Sequence, residues 1–174
     1  MINQLKITRT PRPSLGEPEL ERRALYEGRN VFVCYGGKEG FDVAEVLKQQ
    51  NPYGYINLIV APISLQLGKP APKEGVLDKE IKDSHCIILI LDKKGFFKSE
   101  PAKKEFKIIL EHKKGRYIPI FLKENEKEWI IKKVKNEFEI NLSEMQYAVW
   151  EQSDVFLEKL YGDIRKIVIS CSIL

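Results

Sequence analysis

The sequence has few cysteines and histidines and no long hydrophobic run. Its three cysteines form no Cys-x-x-Cys pair and it has only two histidines, which argues against a disulfide scaffold and a His-rich metal site. The longest strongly apolar run, Cys86 to Leu91, is far shorter than the ~20 residues that a helix needs to cross a bilayer. The first residues are charged and lack the apolar segment of a secretory signal. We therefore expect a cytoplasmic protein with reduced thiols and no membrane partner.

The remaining composition is that of a single soluble domain. The chain has 174 residues, 43 % of them hydrophobic and 31 % charged, and a chain of this length can bury roughly 70 % of its unfolded surface around one core. Residues 1–28 differ from the rest, because they carry three prolines and a short helical pattern at 19–27. We predict that residues 1–28 are an extension, partly disordered or with one short helix, and that residues 29–174 form the domain.

The net charge of +4 is unevenly distributed along the chain. Residues 93–137 hold 14 Lys and Arg against 7 Asp and Glu, whereas the rest of the chain holds 15 against 18. Solvated helix faces are the simplest interpretation of such a segment, and nucleic acid, an acidic membrane surface and a phosphate-bearing small molecule are the alternatives. The aromatic residues do not alternate with the lysines as they do on a base-stacking surface, so no nucleic-acid partner is expected.

From residue 29 onward, β-rich runs alternate with helical patterns. Strands are predicted at 31–35, 56–63, 85–91, 116–122 and 145–150, helices at 41–50, 76–83, 100–113, 126–136 and 153–169, and a long irregular loop at 65–75. Five strand–helix repeats predict a parallel sheet with helices on both faces. Ligands of such sheets bind at the carboxyl ends of the strands, which points to residues 35–37, the loop after Ile63, and residues 92–99.

Residues 36–40, Gly-Gly-Lys-Glu-Gly, form a glycine-rich turn after the first strand. Their spacing differs from the Gly-x-Gly-x-x-Gly dinucleotide motif, and the chain has no P-loop sequence. Such a turn can present backbone N–H groups to a phosphate at a helix N-terminus. A tight strand-to-helix connection is the simpler interpretation, and we favour it on spacing alone.

The helix predicted at 100–113 carries a carboxylate at the edge of its apolar stripe. Ala102, Phe106, Ile109 and Leu110 share one face at about 100° per residue, and Glu105 lies at its border. Partial burial can tune the chemistry of a carboxylate at such a position. A salt-bridge role is the more common use of a glutamate there, so the helix pattern alone leaves both readings open.

The first of these strands and the segment before the third resemble the Toll/interleukin-1 receptor (TIR) domain family. Residues 31–35, Val-Phe-Val-Cys-Tyr, are similar to the family's first motif, hydrophobic-Phe-Ile-Ser-Tyr, with Cys34 in place of the serine. Residues 74–78, Glu-Gly-Val-Leu-Asp, and the Ile-Lys-Asp-Ser at 81–84 resemble the end of the family's BB loop and the helix before its third strand.

A third motif strengthens the resemblance. Residues 99–106, Ser-Glu-Pro-Ala-Lys-Lys-Glu-Phe, keep the family spacing Ser-x-Trp-Cys-x-x-Glu-Leu. Residues 118–120 and 147–150 are similar to the last two strands, so the resemblance covers about 140 residues, from 29 to 169. The chain departs from the pattern at Pro101 and Ala102, where the family has tryptophan and cysteine.

The resemblance implies a flavodoxin-like, three-layer α/β sandwich with a five-stranded parallel sheet. Many members cleave NAD+, which is their substrate, so no bound cofactor is expected. The catalytic glutamate of those enzymes corresponds to Glu105. The other residues expected around NAD+ are Tyr35, Gly36, Gly37, Ser64, Glu74, Phe97 and Ser99.

In the implied reaction the nicotinamide–ribose bond breaks through an oxocarbenium-like state that a carboxylate stabilises. Water then gives ADP-ribose, or an internal nucleophile gives a cyclic ADP-ribose signal. The implied setting is a prokaryotic cytoplasm and antiviral defence. The implied partners are further copies of the chain, through TIR–TIR contacts, and a separate effector protein that responds to the product.

Two other functions stay open. The family's tryptophan often packs near the ligand, and its replacement by Pro101 favours a non-catalytic TIR–TIR adaptor that uses the loop 65–75 as its contact surface. Phe96 or Phe97 can supply the missing stacking surface instead, although core packing is the more common role of both. The other candidate is a nucleoside deoxyribosyltransferase-like enzyme, in which a glutamate attacks an N-glycosidic bond as a covalent nucleophile.

Overall fold

The computed structural model describes residues 16, 18, 19, 22, 27–61, 76–113 and 116–170. Five parallel strands form one sheet in the order β2-β1-β3-β4-β5. The strands are β1 (Arg29–Cys34), β2 (Ile56–Val60), β3 (Cys86–Leu91), β4 (Tyr117–Phe121) and β5 (Ala148–Val149). The predicted parallel α/β sheet is therefore confirmed.

Helices connect the strands and cover the sheet. They are α1 (Gly37–Gln50), α2 (Val76–Asp83), α3 (Glu100–His112), α4 (Lys127–Phe138) and α5 (Asp154–Ser170), with short 3₁₀ turns at Phe96–Lys98, Glu124–Glu126 and Leu142–Glu144. The prediction for α2 matches residue for residue, and α3 ends one residue early. The predicted start of α1 was too late, because Gly37 and Gly40 belong to the helix.

The sheet separates two hydrophobic cores, which makes the fold a three-layer sandwich. The α1 and α5 helices pack on one face, and α2, α3 and α4 pack on the other. All six residues of β3 are buried, with Cys86, Ile88 and Ile90 facing the first core and Ile87, Leu89 and Leu91 the second. Burial on both faces explains why this strand is a continuous apolar run in the sequence.

The strand order places a topological switch point between β1 and β3. After β1 the chain adds β2 on one side, then returns and adds β3 on the other, so that Val31 pairs with Cys86 and Cys34 with Leu89. The connections that leave β1 and β3 therefore go to opposite faces of the sheet. Open parallel sheets bind their ligands at such a point, beside the carboxyl ends of the strands.

Two buried cations lie at the amino ends of the strands. Arg29 Nε donates to the carbonyl of Val168 near the end of α5 at 3.4 Å, and Lys113 Nζ donates to the carbonyl of Lys82 near the end of α2 at 2.6 Å. Both side chains are less than 7 % exposed. They compensate the negative helix ends that a parallel α/β fold gathers at this edge.

The structure describes only part of the predicted extension, where Pro18, Glu19, Arg22 and Glu27 are helical. The remainder of residues 1–28 and the predicted loop 65–75 lie outside the described residues. Within the described part of the chain, no helix combines the length and the apolar character that crossing a membrane requires.

Gly162 offers a test of the packing of α5. A Cβ at this position would meet no atom within 4 Å, and alanine favours a helix interior over glycine by about 1 kcal/mol. We expect Gly162→Ala to raise the free energy of unfolding by about 0.5 to 1 kcal/mol, measured by urea unfolding. Lower stability in this variant would contradict the open space beside the helix.

Candidate active site

The turn after β1 and the loop after β3 touch backbone to backbone at the switch point. A Cβ on Gly36 would lie 2.7 Å from the carbonyl oxygen of Gly95, and one on Gly95 would overlap the carbonyl oxygen of Gly36. Gly37 has a φ of +77° and also packs on Gly95, whose Cα would lie 2.9 Å from an added Cβ. Side chains are thus excluded from both sides of the contact, which closes the crevice at this point.

Asp92 fixes the loop after β3. Its carboxylate accepts hydrogen bonds from the N–H groups of Gly95 at 3.0 Å and Phe96 at 2.9 Å, and its side chain is 5 % exposed. Burial raises the pKa of Asp92 above its ordinary value, while the two N–H groups oppose the shift. The observed role of the Asp92 carboxyl group is therefore to hold this loop in its conformation.

Ser99 starts the helix that carries Glu105. Its hydroxyl accepts from the N–H of Ala102 at 3.2 Å, which makes it the N-cap of α3, and Pro101 occupies the first turn, where a missing N–H costs nothing. The cap sets where α3 begins. Glu105 follows one turn and a half later, on the side of the helix that faces the sheet.

Glu105 is a buried carboxyl group at the carboxyl end of β1. Its side chain is 4 % exposed, and Oε2 finds no hydrogen-bond partner among the residues that the structure describes. Cys34, the last residue of β1, affects the pKa of this carboxyl group, and its Sγ donates to the carbonyl of Ala102 on the same helix at 3.7 Å. The sequence placed Glu105 at the border of the core, and the structure places it inside.

Burial raises the pKa of Glu105 from 4.5 to about 8, while the hydrogen bond from Cys34 lowers it. Near neutral pH this group is consequently a carboxylic acid. The same burial raises the pKa of the Cys34 thiol well above its ordinary value, and Glu105 adds to that shift. A pKa close to neutral is typical of a carboxyl group that acts as a general acid or base.

The structure brings most of the predicted site residues to one edge of the sheet. Tyr35, Gly36, Gly37, Ser99 and Glu105 all lie near the switch point. Tyr35 is fully buried, and its hydroxyl donates to the carbonyl oxygen of Ala61, so its side chain is part of the core. Ser99 caps a helix. The predicted residues Ser64 and Glu74 lie outside the described residues.

Phe97 packs in the core beside the site. It is 7 % exposed and contacts Phe96 and Trp129 edge to face, with ring centroids 5.0 Å and 5.5 Å away. Phe96 is completely buried. Core packing is therefore the observed role of both phenylalanines, as one of the two sequence interpretations held.

The basic segment lies mostly on helix surfaces. Lys103, Lys127 and Lys133 form ion pairs with glutamates three or four residues away, at 3.9 Å, 3.0 Å and 2.6 Å. The ammonium group of Lys93 lies 4.8 Å from the ring centre of Trp129, which is 37 % exposed. These contacts favour the interpretation of the segment as solvated helix faces.

Sequence reasoning missed the parts that Cys34, Asp92 and Gly95 play. Cys34 stood out only as a replacement for the family's serine, and its contact with the helix that carries Glu105 depends on packing between elements. An aspartate three residues before a glycine is a turn signal, so the Asp92–Gly95 loop could have been found. Within 27–61, 76–113 and 116–170, no three His, Cys, Asp or Glu side chains converge to hold a metal ion.

No protein-family model matches the sequence, and a comparison with curated proteins finds no match.

Because the two loops touch at the switch point, the glycines should differ in how much stability an alanine substitution costs. Gly95→Ala would force the two loops apart, and we expect it to lower the free energy of unfolding by about 1 to 3 kcal/mol, measured by urea unfolding. Gly54→Ala is the matched control, because a Cβ there would meet nothing within 4 Å. Equal stability of the two variants would mean that the loops do not touch.

The buried carboxyl group predicts a pH-dependent stability. Between the ordinary pKa of 4.5 and the folded pKa of about 8, the unfolded chain releases the Glu105 proton and the folded chain keeps it. The folded state of the wild type therefore loses stability as the pH rises through this window, by up to about 1.4 kcal/mol per pH unit from this one group. Glu105→Gln has no carboxyl group to ionise and should lack this slope.

The measurement is urea unfolding at a series of pH values from 5 to 8. The stability advantage of Glu105→Gln over the wild type should grow with pH. Glu111→Gln, on the same helix and 74 % exposed at the side chain, should run parallel to the wild type. A difference between Glu105→Gln and the wild type that is constant across the range would show that Glu105 is not held protonated.

Proposed function

We propose that the chain is a TIR-type NAD+ nucleosidase in which Glu105 is the catalytic carboxylate. The observation that carries the proposal is an ionisable group buried at the switch point of a parallel sheet, with one oxygen that makes no hydrogen bond to the residues that the structure describes. The spacing from Ser99 to Glu105 that the family motif requires supports it. The proposed setting is the cytoplasm of a prokaryote, in antiviral defence.

The proposed reaction needs little from the protein besides Glu105. The bond between the nicotinamide nitrogen and C1′ of the ribose breaks, and its electron pair leaves with neutral nicotinamide. The ribose becomes an oxocarbenium-like cation, which an ionised carboxylate stabilises. Attack by water on C1′, with loss of a proton, gives ADP-ribose. Attack by a nucleophilic atom of the same molecule gives a cyclic product that a separate effector protein would read.

Activity requires the site to open. In the closed arrangement Glu105 is protonated and almost fully covered, so it can neither reach a substrate nor stabilise a cation. We propose that self-association through TIR–TIR contacts, or NAD+ itself, separates the Gly36 turn from the Gly95 loop. The helix N-termini at this edge, with the backbone N–H groups of the glycine turn, suit the pyrophosphate of the substrate.

A non-catalytic TIR–TIR adaptor is the second candidate. The closed switch point favours it, because the loops at Gly36 and Gly95 touch and a 4 % exposed carboxyl group is also what a purely structural acid would look like. The replacement of the family's tryptophan by Pro101 points the same way. Catalysis and assembly make different predictions for NAD+, which separates the two functions.

The test is nicotinamide release from NAD+ by the full chain at increasing protein concentration, with the products resolved by mass and the assembly followed by light scattering. We expect wild-type protein to release nicotinamide, and Glu105→Gln to be slower by about 100-fold or more, since it cannot provide a negative charge. Glu111→Gln should match the wild type, because its exposed side chain is outside the site.

Three outcomes would contradict the proposal. Assembly without any turnover of NAD+ would identify an adaptor. Exchange of free bases between deoxynucleosides with NAD+ intact would identify a deoxyribosyltransferase-like enzyme. Equal rates for Glu105→Gln and the wild type would remove Glu105 from the reaction.

A further inference from the structure

Three large hydrophobic side chains are exposed in the part of the chain that the structure describes, namely Trp129, Tyr147 and Val155. The centre of the Tyr147 ring lies 5.4 Å from the ammonium group of Lys127, whose charge Glu124 compensates at 3.0 Å. Trp129 and Val155 differ from Tyr147, because the unpaired charges beside each of them are mostly of one sign. These two side chains are the centres of two surface patches.

The basic patch consists of Trp129 and three lysines of the loop after β3, Lys93, Lys94 and Lys98. The Lys93 ammonium group lies 4.8 Å from the centre of the indole ring. Phe97, which precedes Lys98, contacts the indole edge to face, so the loop and the ring form one surface. The three lysines are exposed, and none of them forms an ion pair with another residue of the described chain. Trp129 is therefore the apolar centre of a surface with unpaired positive charge.

The acidic patch lies at the start of α5 and consists of Glu151, Asp154, Val155 and Glu158. Val155 is 79 % exposed, and the three carboxylates are exposed and unpaired with any residue that the structure describes. Residues 151–163 carry four Asp and Glu against one lysine. The helix dipole stabilises acidic residues in a first turn, which accounts for the carboxylates. It gives no role in the fold to the exposed valine among them.

The two patches lie on opposite faces of the sheet. The α4 helix and Phe97 pack on one face, whereas α5 packs on the other. One molecule therefore cannot bring its own patches together, but two copies can. Each patch has a small apolar centre and a rim of charge that matches the other in sign, which is the usual composition of a specific protein contact.

We propose that the chain assembles head to tail, with the basic patch of one copy on the acidic patch of the next. Trp129 packs against Val155, and the three lysines face the three carboxylates. Such a heterologous contact leaves one free patch at each end, so it either closes into a ring or extends into a filament. The inference gives the proposed self-association a surface, and it rests on the proposed function only for the expectation that assembly activates the Glu105 site.

The loop that carries the basic patch is also the loop that closes the site. Gly95, whose backbone meets Gly36 at the switch point, lies between the lysines of the patch. A copy docked on these lysines therefore acts on the wall that must move before Glu105 is exposed. Assembly and opening of the site are thus linked through one segment, residues 93–98.

An anionic lipid surface fits the basic patch less well than a second copy does. Glu128, next to Trp129 in sequence, is exposed. Lys133 lies 6.0 Å from the centre of the indole, but Glu137 already pairs with it at 2.6 Å. The unpaired charge beside the indole is thus concentrated in the loop after β3, and a membrane needs a broader basic surface than this.

The experiment measures the mass of the full chain by light scattering over a series of protein concentrations, at low and high salt. We expect the wild type to assemble as its concentration rises, and to need about 10-fold more protein in about 0.5 M salt, because salt screens exposed charges. Lys93→Glu/Lys98→Glu disables the basic patch, and Val155→Lys disables the acidic patch. Each variant alone should remain a monomer.

Mixing the two variants tests the head-to-tail geometry. Val155→Lys keeps an intact basic patch, and Lys93→Glu/Lys98→Glu keeps an intact acidic patch, so one productive contact is left between them. We expect a 1:1 heterodimer that does not grow with concentration. A mixture that stays monomeric would contradict the pairing of the basic patch with the acidic patch.

Lys48→Glu/Lys166→Glu is the matched control. It makes the same change in net charge as Lys93→Glu/Lys98→Glu, at two exposed lysines near the ends of α1 and α5, which lie at the amino edge of the sheet. We expect this control to assemble like the wild type. Loss of assembly in the control as well would reduce the effect to net charge and overturn the inference.

A wild type that stays monomeric at every concentration would overturn the inference, as would unchanged assembly in either patch variant. Binding to vesicles of anionic lipid without self-association would identify a lipid partner in place of a second copy. The mass measurement needs no NAD+, so an absence of nicotinamide release would contradict the proposed function and leave the head-to-tail contact standing. Nicotinamide release by a chain that stays monomeric would do the reverse.

Discussion

The backbone contact between Gly36 and Gly95 determines how the carboxyl edge of the sheet is arranged. These two residues follow neighbouring strands whose connections leave in opposite directions, and a crevice normally opens between such connections. Here the absence of two side chains lets its walls meet. With Gly95 held by Asp92, the 3₁₀ turn that follows leads directly into the Ser99 cap. The helix then begins where Ala102 contacts Cys34 at the end of β1 and Glu105 is buried.

The two edges of the sheet have opposite electrostatic character. Helices in a parallel α/β fold run opposite to the strands, so their C-termini gather at the amino edge, where buried Arg29 and Lys113 meet the last carbonyls of α5 and α2. The N-termini gather at the carboxyl edge, where the hydroxyls of Ser99 and Ser153 cap α3 and α5. The fold itself therefore makes the carboxyl edge suitable for an anion, whatever the lysines of residues 93–137 contribute.

Local periodicity predicted the order and type of the elements well, because each strand and helix buries one continuous pattern. It failed where distant parts of the chain decide the outcome. Gly40 looked like a turn residue, yet it lies inside α1, where a Cβ would come within 3.1 Å of Tyr35. The edge strand β5 was predicted at 145–150 and spans two residues. Glu105 was found from its place on a helix, whereas the contact of that helix with Cys34 joins segments far apart in sequence and leaves no local pattern.

In the proposed enzyme, Glu105 carries a proton in the closed site and has lost it in the open, active site. Opening returns water to Glu105, and its pKa then falls from about 8 toward the ordinary 4.5. At neutral pH the open form is ionised and the closed form is not, so opening releases a proton, and each unit by which the pKa of the open form falls below the ambient pH favours opening by about 1.4 kcal/mol. A positively charged nicotinamide ring beside the new carboxylate adds to the same balance. Burial of the acid therefore does not oppose catalysis, because the free energy that it costs the closed form is regained when the loops at Gly36 and Gly95 separate.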